Sequence, residues 1–354
     1  MNNRYEKITL DKFSEMVNDH NSQLVDVHQS PAQIQYKGIG HLVASEDTGL
    51  GIAQIAASMN KVAYRQWCQR LNLPHQWLIS GKCPPDLEKS MVNRMATDNE
   101  KNMLFRFKNI PEEQRSECRA VLSDKYLVYN HHEFWTNIQD SIQGTGLEDL
   151  NPVIWKPSVS HHLDAWILFD NVSADPQDGE SPSIYDNGGF GGLRPAIHIK
   201  NTEDGTGMVR IDSGLFRSYC TNGVIFGWKS ENAMAAEHLG KSTAHMQLKV
   251  TMAIADAAST CKLGIDKFVE ATKVKIKENA ISLIVKEWTR TFSIAAGTST
   301  LWETALQGSQ TWGDVVMATS DFAGSLPDRD MTTTLEEMSG AILFAGAPPR
   351  YRAS

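Results

Sequence analysis

The sequence predicts an α+β fold, an antiparallel β-meander with helices packed on one face. Three observations carry that expectation. Residues 195–200 (PAIHIK) and 207–211 (GMVRI) alternate with period two around Asn201-Thr-Glu-Asp-Gly205, a hairpin signal. Beyond residue 232 the period changes, and 232–262 and 266–288 carry apolar residues near helical spacing. The chain has 354 residues, 41% of them hydrophobic, enough for one large core or two ordinary ones.

Taken in order, residues 1–45 read as an N-terminal extension, 46–296 as the α+β core domain and 297–354 as a C-terminal segment with a flexible end, APPRYRAS. Ile52, Ile55, Met59, Val62, Trp67 and Leu71 predict a helix over 52–72, stopped by Pro74. A shorter helix follows Pro84-Pro85 over 86–96. Residues 102–108 alternate and pair with 118–123 across a turn at 110–113; a helix over 132–143 and a buried strand over 163–169 come next. The Asp-, Ser-, Pro- and Gly-rich stretch 171–192 reads as a mobile loop. Asp212-Ser-Gly214 then turns the chain into 215–226, completing the meander.

With 34 Lys and Arg against 42 Asp and Glu, the net charge of −8 excludes a uniformly basic nucleic-acid coat, so any such surface is a local patch. No apolar run approaches the roughly 18 residues of a membrane span. The start, Met-Asn-Asn-Arg-Tyr-Glu-Lys, lacks the apolar stretch of a secretory signal, and Cys68, Cys83, Cys118, Cys220 and Cys261 form no Cys-x-x-Cys pair. The expectation is a cytoplasmic protein with reduced thiols.

Chemical motifs are sparse. There is no Walker-type loop, no Gly-x-Ser-x-Gly and no His-Glu-x-x-His. Gly188–Gly192 reads as a loop tip, and Cys220 as a core residue despite Arg217 nearby. On a strand His162 and Asp164 share a face, and on a helix so do His238 and His245, but neither pair has a third ligand in sight. No catalytic residue, metal or cofactor is expected. Cations and aromatics do interleave between 194 and 249, where residues 191–300 hold fourteen Lys and Arg against ten Asp and Glu. Arg194, Lys200, Arg210, Arg217, Lys229 and Lys241 are candidate phosphate contacts, with Tyr219 and Trp228 as stacking platforms.

Three segments together resemble the phage- and plasmid-borne family catalogued as domain of unknown function 932. They are Ala63-Tyr-Arg-Gln-Trp-Cys-Gln-Arg-Leu-Asn-Leu-Pro74, then Leu104-Phe-Arg106 with Cys118-Arg-Ala-Val-Leu-Ser-Asp-Lys-Tyr126, then Ile199-Lys-Asn-Thr-Glu-Asp-Gly205 continuing to Phe216-Arg-Ser-Tyr-Cys-Thr-Asn-Gly223. Thr300-Leu-Trp302 resembles the family's C-terminal motif. More distantly, the sheet-then-helix order is similar to the single-strand annealing superfamily, which includes ring formers. The resemblance implies a cytoplasmic single-stranded-DNA-binding or annealing protein of recombination or replication, a homo-oligomer needing no ATP. The alternative is an interaction module that blocks a host defence or replication protein; a third reading is a metal-dependent enzyme using His162 and Asp164. As scaffold, Gly205 and Gly223 serve turns, Asn201 and Asn222 bond their own backbone, and Arg106 and Arg119 pair with Asp124.

Overall fold

A computed structural model of the chain describes residues 7–47, 52–80, 82–110, 115–169, 193–217, 224–228, 234–236, 238, 242–277 and 279–353. The chain opens with β1 (Lys7–Ile8), α1 (Leu10–Ser22), β2 (Leu24–Gln29), β3 (Gln35–Gly38), β4 (His41–Asp47) and β5 (Ile52–Met59). Three helices follow, α2 (Lys61–Arg70), α3 (His75–Ile79) and α4 (Pro85–Thr97), then β6 (Met103–Ile110), β7 (Arg115–Ser123) and α5 (His131–Gly144). Next come β8 (Pro152–Val159), β9 (His162–Phe169), β10 (Leu193–Thr202), β11 (Val209–Arg217), β12 (Val224–Trp228) and β13 (Met234–Ala236). The chain then turns helical: α6 (Thr243–Lys273), α7 (Ala280–Thr291), α8 (Ala296–Ala305), α9 (Trp312–Ser325) and α10 (Arg329–Ala345).

The strands form two sheets. The expected meander is an antiparallel sheet in the order β1-β8-β9-β10-β11-β12, with β13 also on β11. Ile154, Ile167, Ile197, Ile199 and Ile211 project from one of its faces and are buried with Phe13 of α1, Phe134 and Trp135 of α5, and Val250 and Ile254 of α6. Strand alternation sends Trp166, Leu168 and Ala196 to the other face, where they form a second cluster with Trp155. Both faces of β9 are therefore apolar, and its continuous run LDAWILF follows from that. α10 reaches this second face, so helices are not confined to one side.

The second sheet is mixed, in the order β2-β6-β7-β5-β4-β3, with β5 parallel to β7. α2 and α4 cover one face and bury Trp67, Cys68, Val92, Phe105 and Phe107. A third core, built from Trp302, Trp312, Leu335, Ile342 and Tyr351, joins α7 to α10 with the end of α6.

Several expectations are corrected. Residues 52–72 are not one helix: β5 ends at Met59, and the Asn60 side chain accepts the Ala63 N–H at 2.8 Å to cap α2. Ile52, Ile55 and Met59 have the i, i+3, i+7 spacing of a helix although Ile52 lies on the opposite strand face from the other two, and the capping asparagine marks where the strand stops. Residues 1–45 are not an extension, because β1 pairs with β8, β2 pairs with β6, and β3 and β4 form the far edge of the mixed sheet. Asp212, Ser213 and Gly214 do not turn the chain; they pair with His198, Ile197 and Ala196 inside β11. The helices expected over 232–262 and 266–288 divide differently. β13 falls in the first, and a single 31-residue α6 runs to Lys273. Lys275 and Ile276 then bridge to Thr311 and Arg352, which is why Val274 and Ile276 break the helical period. The C-terminal end is packed rather than loose, with Tyr351 3% exposed and the Ala353 N–H bonded to the Lys275 carbonyl at 2.9 Å. The stretches 171–192 and 218–223 lie outside the described residues.

Candidate functional site

Lys200 and Arg210 face one another across β10 and β11, and each has a carboxylate. Lys200 Nζ lies 3.4 Å from Asp164, while Arg210 contacts Asp212 at 2.5 Å and Glu337 of α10 at 2.8 Å. The same strand face carries His198, bonded to Asp164 at 2.9 Å and stacked on Trp166 at 4.1 Å. Asp164 across the strand, Asp212 on the same strand and Glu337 of α10 neutralise these charges, so the two cations are held in internal ion pairs rather than ranged along a phosphate track. Arg194, Arg217 and Trp228 lie on β10, β11 and β12, and their side chains are outside the described residues, as are Tyr219, Lys229 and Lys241 altogether. His162 and Asp164 do not converge: His162 Nε2 reaches Asp204 at 3.3 Å, whereas Asp164 serves His198 and Lys200. His238 precedes α6 and so shares no helical face with His245.

The turn closing the β10–β11 hairpin leaves its own sheet and enters the mixed one. Gln66 of α2 donates to the Asp204 carbonyl at 2.7 Å and accepts the Val121 N–H at 2.9 Å, tying turn, helix and β7 together. Gly205 has φ +74°, and a Cβ there would stand 2.6 Å from Leu122 Cδ2. Glycine is thus required for both backbone and space.

Glu203 is the centre of this junction and is fully buried. Its Oε2 accepts from Arg119 Nη1 at 2.5 Å and from His20 Nε2 at 3.1 Å; its Oε1 accepts the His131 N–H at 2.6 Å. Arg106 donates to the Glu203 carbonyl at 2.8 Å and holds Asp26 through two bonds of 2.8 Å. The expected pairing of both arginines with Asp124 is replaced by Asp26 and Glu203. Asn201 bonds the Tyr129 carbonyl and His131 instead of its own backbone. Burial alone would raise the Glu203 carboxyl; the His20 bond and the charges of His131, Arg119 and Arg106 outweigh it and hold the group well below the usual carboxylate range. Burial also pushes His131 down to about 3, against the pull of Glu203. Asp204 is held at about 2, its burial outweighed by His162 and Thr206. His20 Nε2, His131 Nδ1 and the Glu203 carboxylate lie within 4.8 Å of one another, a spacing that could hold a metal ion.

A cleft of about 980 Å³ lies between the β3–β4 turn and the starts of α2, α3 and α4. Met59, Leu78 and Ile79 line it, together with Ile39, which sits at φ 51° on the turn. Its base is the buried Glu88, which accepts from the hydroxyls of Tyr36 and Tyr64 and from the Ile39 N–H at 3.4 Å. Desolvation first, and then Glu88, raise both phenols above their ordinary value, so they remain donors that lock the turn to α2 and α4. Lys61 and Arg65, one turn apart on α2, stand exposed at the mouth, and neither enters an ion pair among the described residues. Ile39 is 71% and Ile79 63% exposed, with Trp77 and Leu87 also exposed on α3 and α4.

Sequence reasoning missed His20, Asp26, Glu88 and the cleft. One signal was readable: Arg106 and Arg119 each interrupt an apolar strand run, where a charge is buried only with a partner. Which carboxylate would come could not be read, because Asp26 and Glu203 are 80 and 84 residues away. Searches against known families, curated proteins and solved structures find no match to the chain. No helix among the described residues is long and apolar enough to cross a membrane.

Proposed function

We propose that the chain is an interaction module whose cleft takes an apolar anchor, flanked by carboxylates, from a protein partner. One observation carries this reading: Ile39 and Ile79 expose most of their surface beside a 980 Å³ cleft whose mouth holds Lys61 and Arg65. Exposed apolar surface of this kind, rimmed by charge, is characteristic of a binding face. Trp77, on α3 with Ile79, and Leu87 on α4 extend the apolar area, a width that suits a peptide segment better than a small molecule. The two cations favour acidic residues beside the anchor and disfavour a basic segment. Annealing of single-stranded DNA retains the sequence resemblance as its support, and Lys200 and Arg210 add nothing to it.

Panning a random 12-residue peptide display library on the full chain tests the proposal. Enriched sequences should combine large apolar residues with neighbouring Asp or Glu. Ile79→Asp should weaken a selected peptide by about tenfold or more, and Lys61→Glu with Arg65→Glu by several-fold. The proposal fails if no peptide is enriched, or if selected peptides bind the Ile79→Asp protein as well as the parent.

A further inference from the structure

We propose that His20, His131 and Glu203 form a buried structural site for one divalent transition-metal ion of the zinc class. The three come from the last turn of α1, the first residue of α5 and the β10–β11 turn, and they are 4%, 0% and 0% exposed. His20 Nε2 stands 3.1 Å from Glu203 Oε2, and His131 Nδ1 stands 3.5 Å from Glu203 Oε1. Ligand bonds of about 2.0–2.1 Å in a tetrahedral zinc site put neighbouring donor atoms about 3.3 Å apart; the two histidine–carboxylate contacts, one to each oxygen, are near that length, and all the donor atoms lie within 4.8 Å of one another.

Hydrogen-bond accounting points the same way. His131 Nε2 lies 3.1 Å from the Ser160 carbonyl and must donate to it, which leaves Nδ1 as an acceptor lone pair 3.5 Å from a carboxylate oxygen. Fixing one imidazole nitrogen on a backbone carbonyl is how proteins orient the other toward a metal. The nearest donor to Nδ1 is Asn201 Nδ2 at 3.1 Å. In that orientation Asn201 Oδ1 faces His238 Nε2 at 3.1 Å, while His238 Nδ1 faces the Leu127 carbonyl at 3.2 Å. His238, 2% exposed and bonded to no carboxylate, is neutral and donates to one of these two acceptors. Turning the Asn201 amide over would set its Oδ1 against the Tyr129 carbonyl at 3.0 Å, so the amide keeps its Nδ2 on Tyr129 and His131. An ion at His131 Nδ1 takes the place of the Asn201 donor, which retains its bond to the Tyr129 carbonyl.

Charge permits the ion despite Arg119. Two buried guanidiniums, Arg106 and Arg119, pair with the carboxylates of Asp26 and Glu203, and Asp204, whose side chain is 2% exposed and contacts His162, adds a third carboxylate. Arg119 holds one oxygen of Glu203 and so orients the carboxylate. Imidazole nitrogen with carboxylate oxygen selects zinc over magnesium or calcium. With no exposed ligand the ion's role is to clamp α1, α5 and the hairpin tip together.

The test uses the full untagged chain, dialysed against zinc-free buffer, with metal content read by plasma mass spectrometry. About one equivalent of zinc is expected. After stripping with a chelator, added zinc chloride should raise the melting temperature by several degrees and magnesium chloride should not. His20→Ala should lose the metal, and His162→Ala, at a half-exposed histidine, should keep it. Should His20→Ala not fold, cobalt(II) added to the stripped parent chain must give the visible absorption of a tetrahedral nitrogen–oxygen site. Less than about a tenth of an equivalent, with no zinc-dependent stabilisation, overturns the proposal. Equal retention by a folded His20→Ala protein, or cobalt without that absorption, does so as well.

Discussion

Arg119 Nη1 and Glu203 Oε2 lie 2.5 Å apart, both side chains fully buried, and they join the centre of one sheet to the hairpin tip of the other. Removing one partner strands a charge where water cannot reach it. Arg119→Met or Glu203→Gln should each lower stability by about 3–5 kcal/mol, and the double variant should lose less than the two together. Urea midpoints with chelator present measure both quantities; additive losses would show that the pair is not coupled.

Gly205 makes a second, steric connection between the sheets. Gly205→Ala must both tolerate φ +74° and displace Leu122, whose Cδ2 stands 2.6 Å from the new methyl. The expected loss is about 2 kcal/mol. Adding Leu122→Ala should recover only the steric part. A Gly205→Ala protein as stable as the parent would mean the turn does not dock as described.

The meander was legible because its strands alternate and its Asp-Gly turn has a local cause. The mixed sheet was not, although β6 and β7 were, because β5 carries Ile52, Ile55 and Met59 at helical spacing and runs straight into a helix. The parallel pairing of β5 with β7 is a non-local decision that no short pattern encodes. The Glu203 centre shows the same limit. Asn201-Thr-Glu-Asp-Gly reads as turn chemistry, and it is a turn, but Glu203 also neutralises an arginine 84 residues away. The cleft depends on the tip of one hairpin meeting three helix starts, and no single segment foreshadows it.

Because Arg210 bridges Asp212 and Glu337, its removal should loosen α10 from the sheet rather than disturb a ligand. Arg210→Ala is expected to lower stability by about 1 kcal/mol, the figure being modest for a partly exposed pair. Its affinity for a 30-nucleotide single strand, measured by fluorescence anisotropy at two salt concentrations, should match the parent's. A drop in affinity together with a shallower salt slope would instead place Arg210 on phosphate and revive the annealing reading.

Buried histidines make the chain acid-sensitive before its carboxylates titrate. Burial lowers His131 to about 3 from 6.5, so the unfolded chain takes up a proton that the folded chain refuses. Its contribution to stability is complete above pH 6.5 and declines as pH falls toward 3. Burial lowers His161, His198 and His238 too, with the same sign. His162, raised chiefly by its bond to Asp204, acts in the opposite sense but is half-exposed, so its effect is screened. Glu203 and Asp204 add a later loss: their depressed carboxyls stabilise the fold above about pH 4, and for Asp204 that is gone once pH falls through about 2. From pH 7 to pH 5, His131 alone should remove about 2 kcal/mol. Urea midpoints taken in chelator every half unit should therefore begin to fall near pH 6.5. A midpoint that stays level down to pH 4.5 would mean that these imidazoles accept protons in place, and that the junction is wetter than its packing implies.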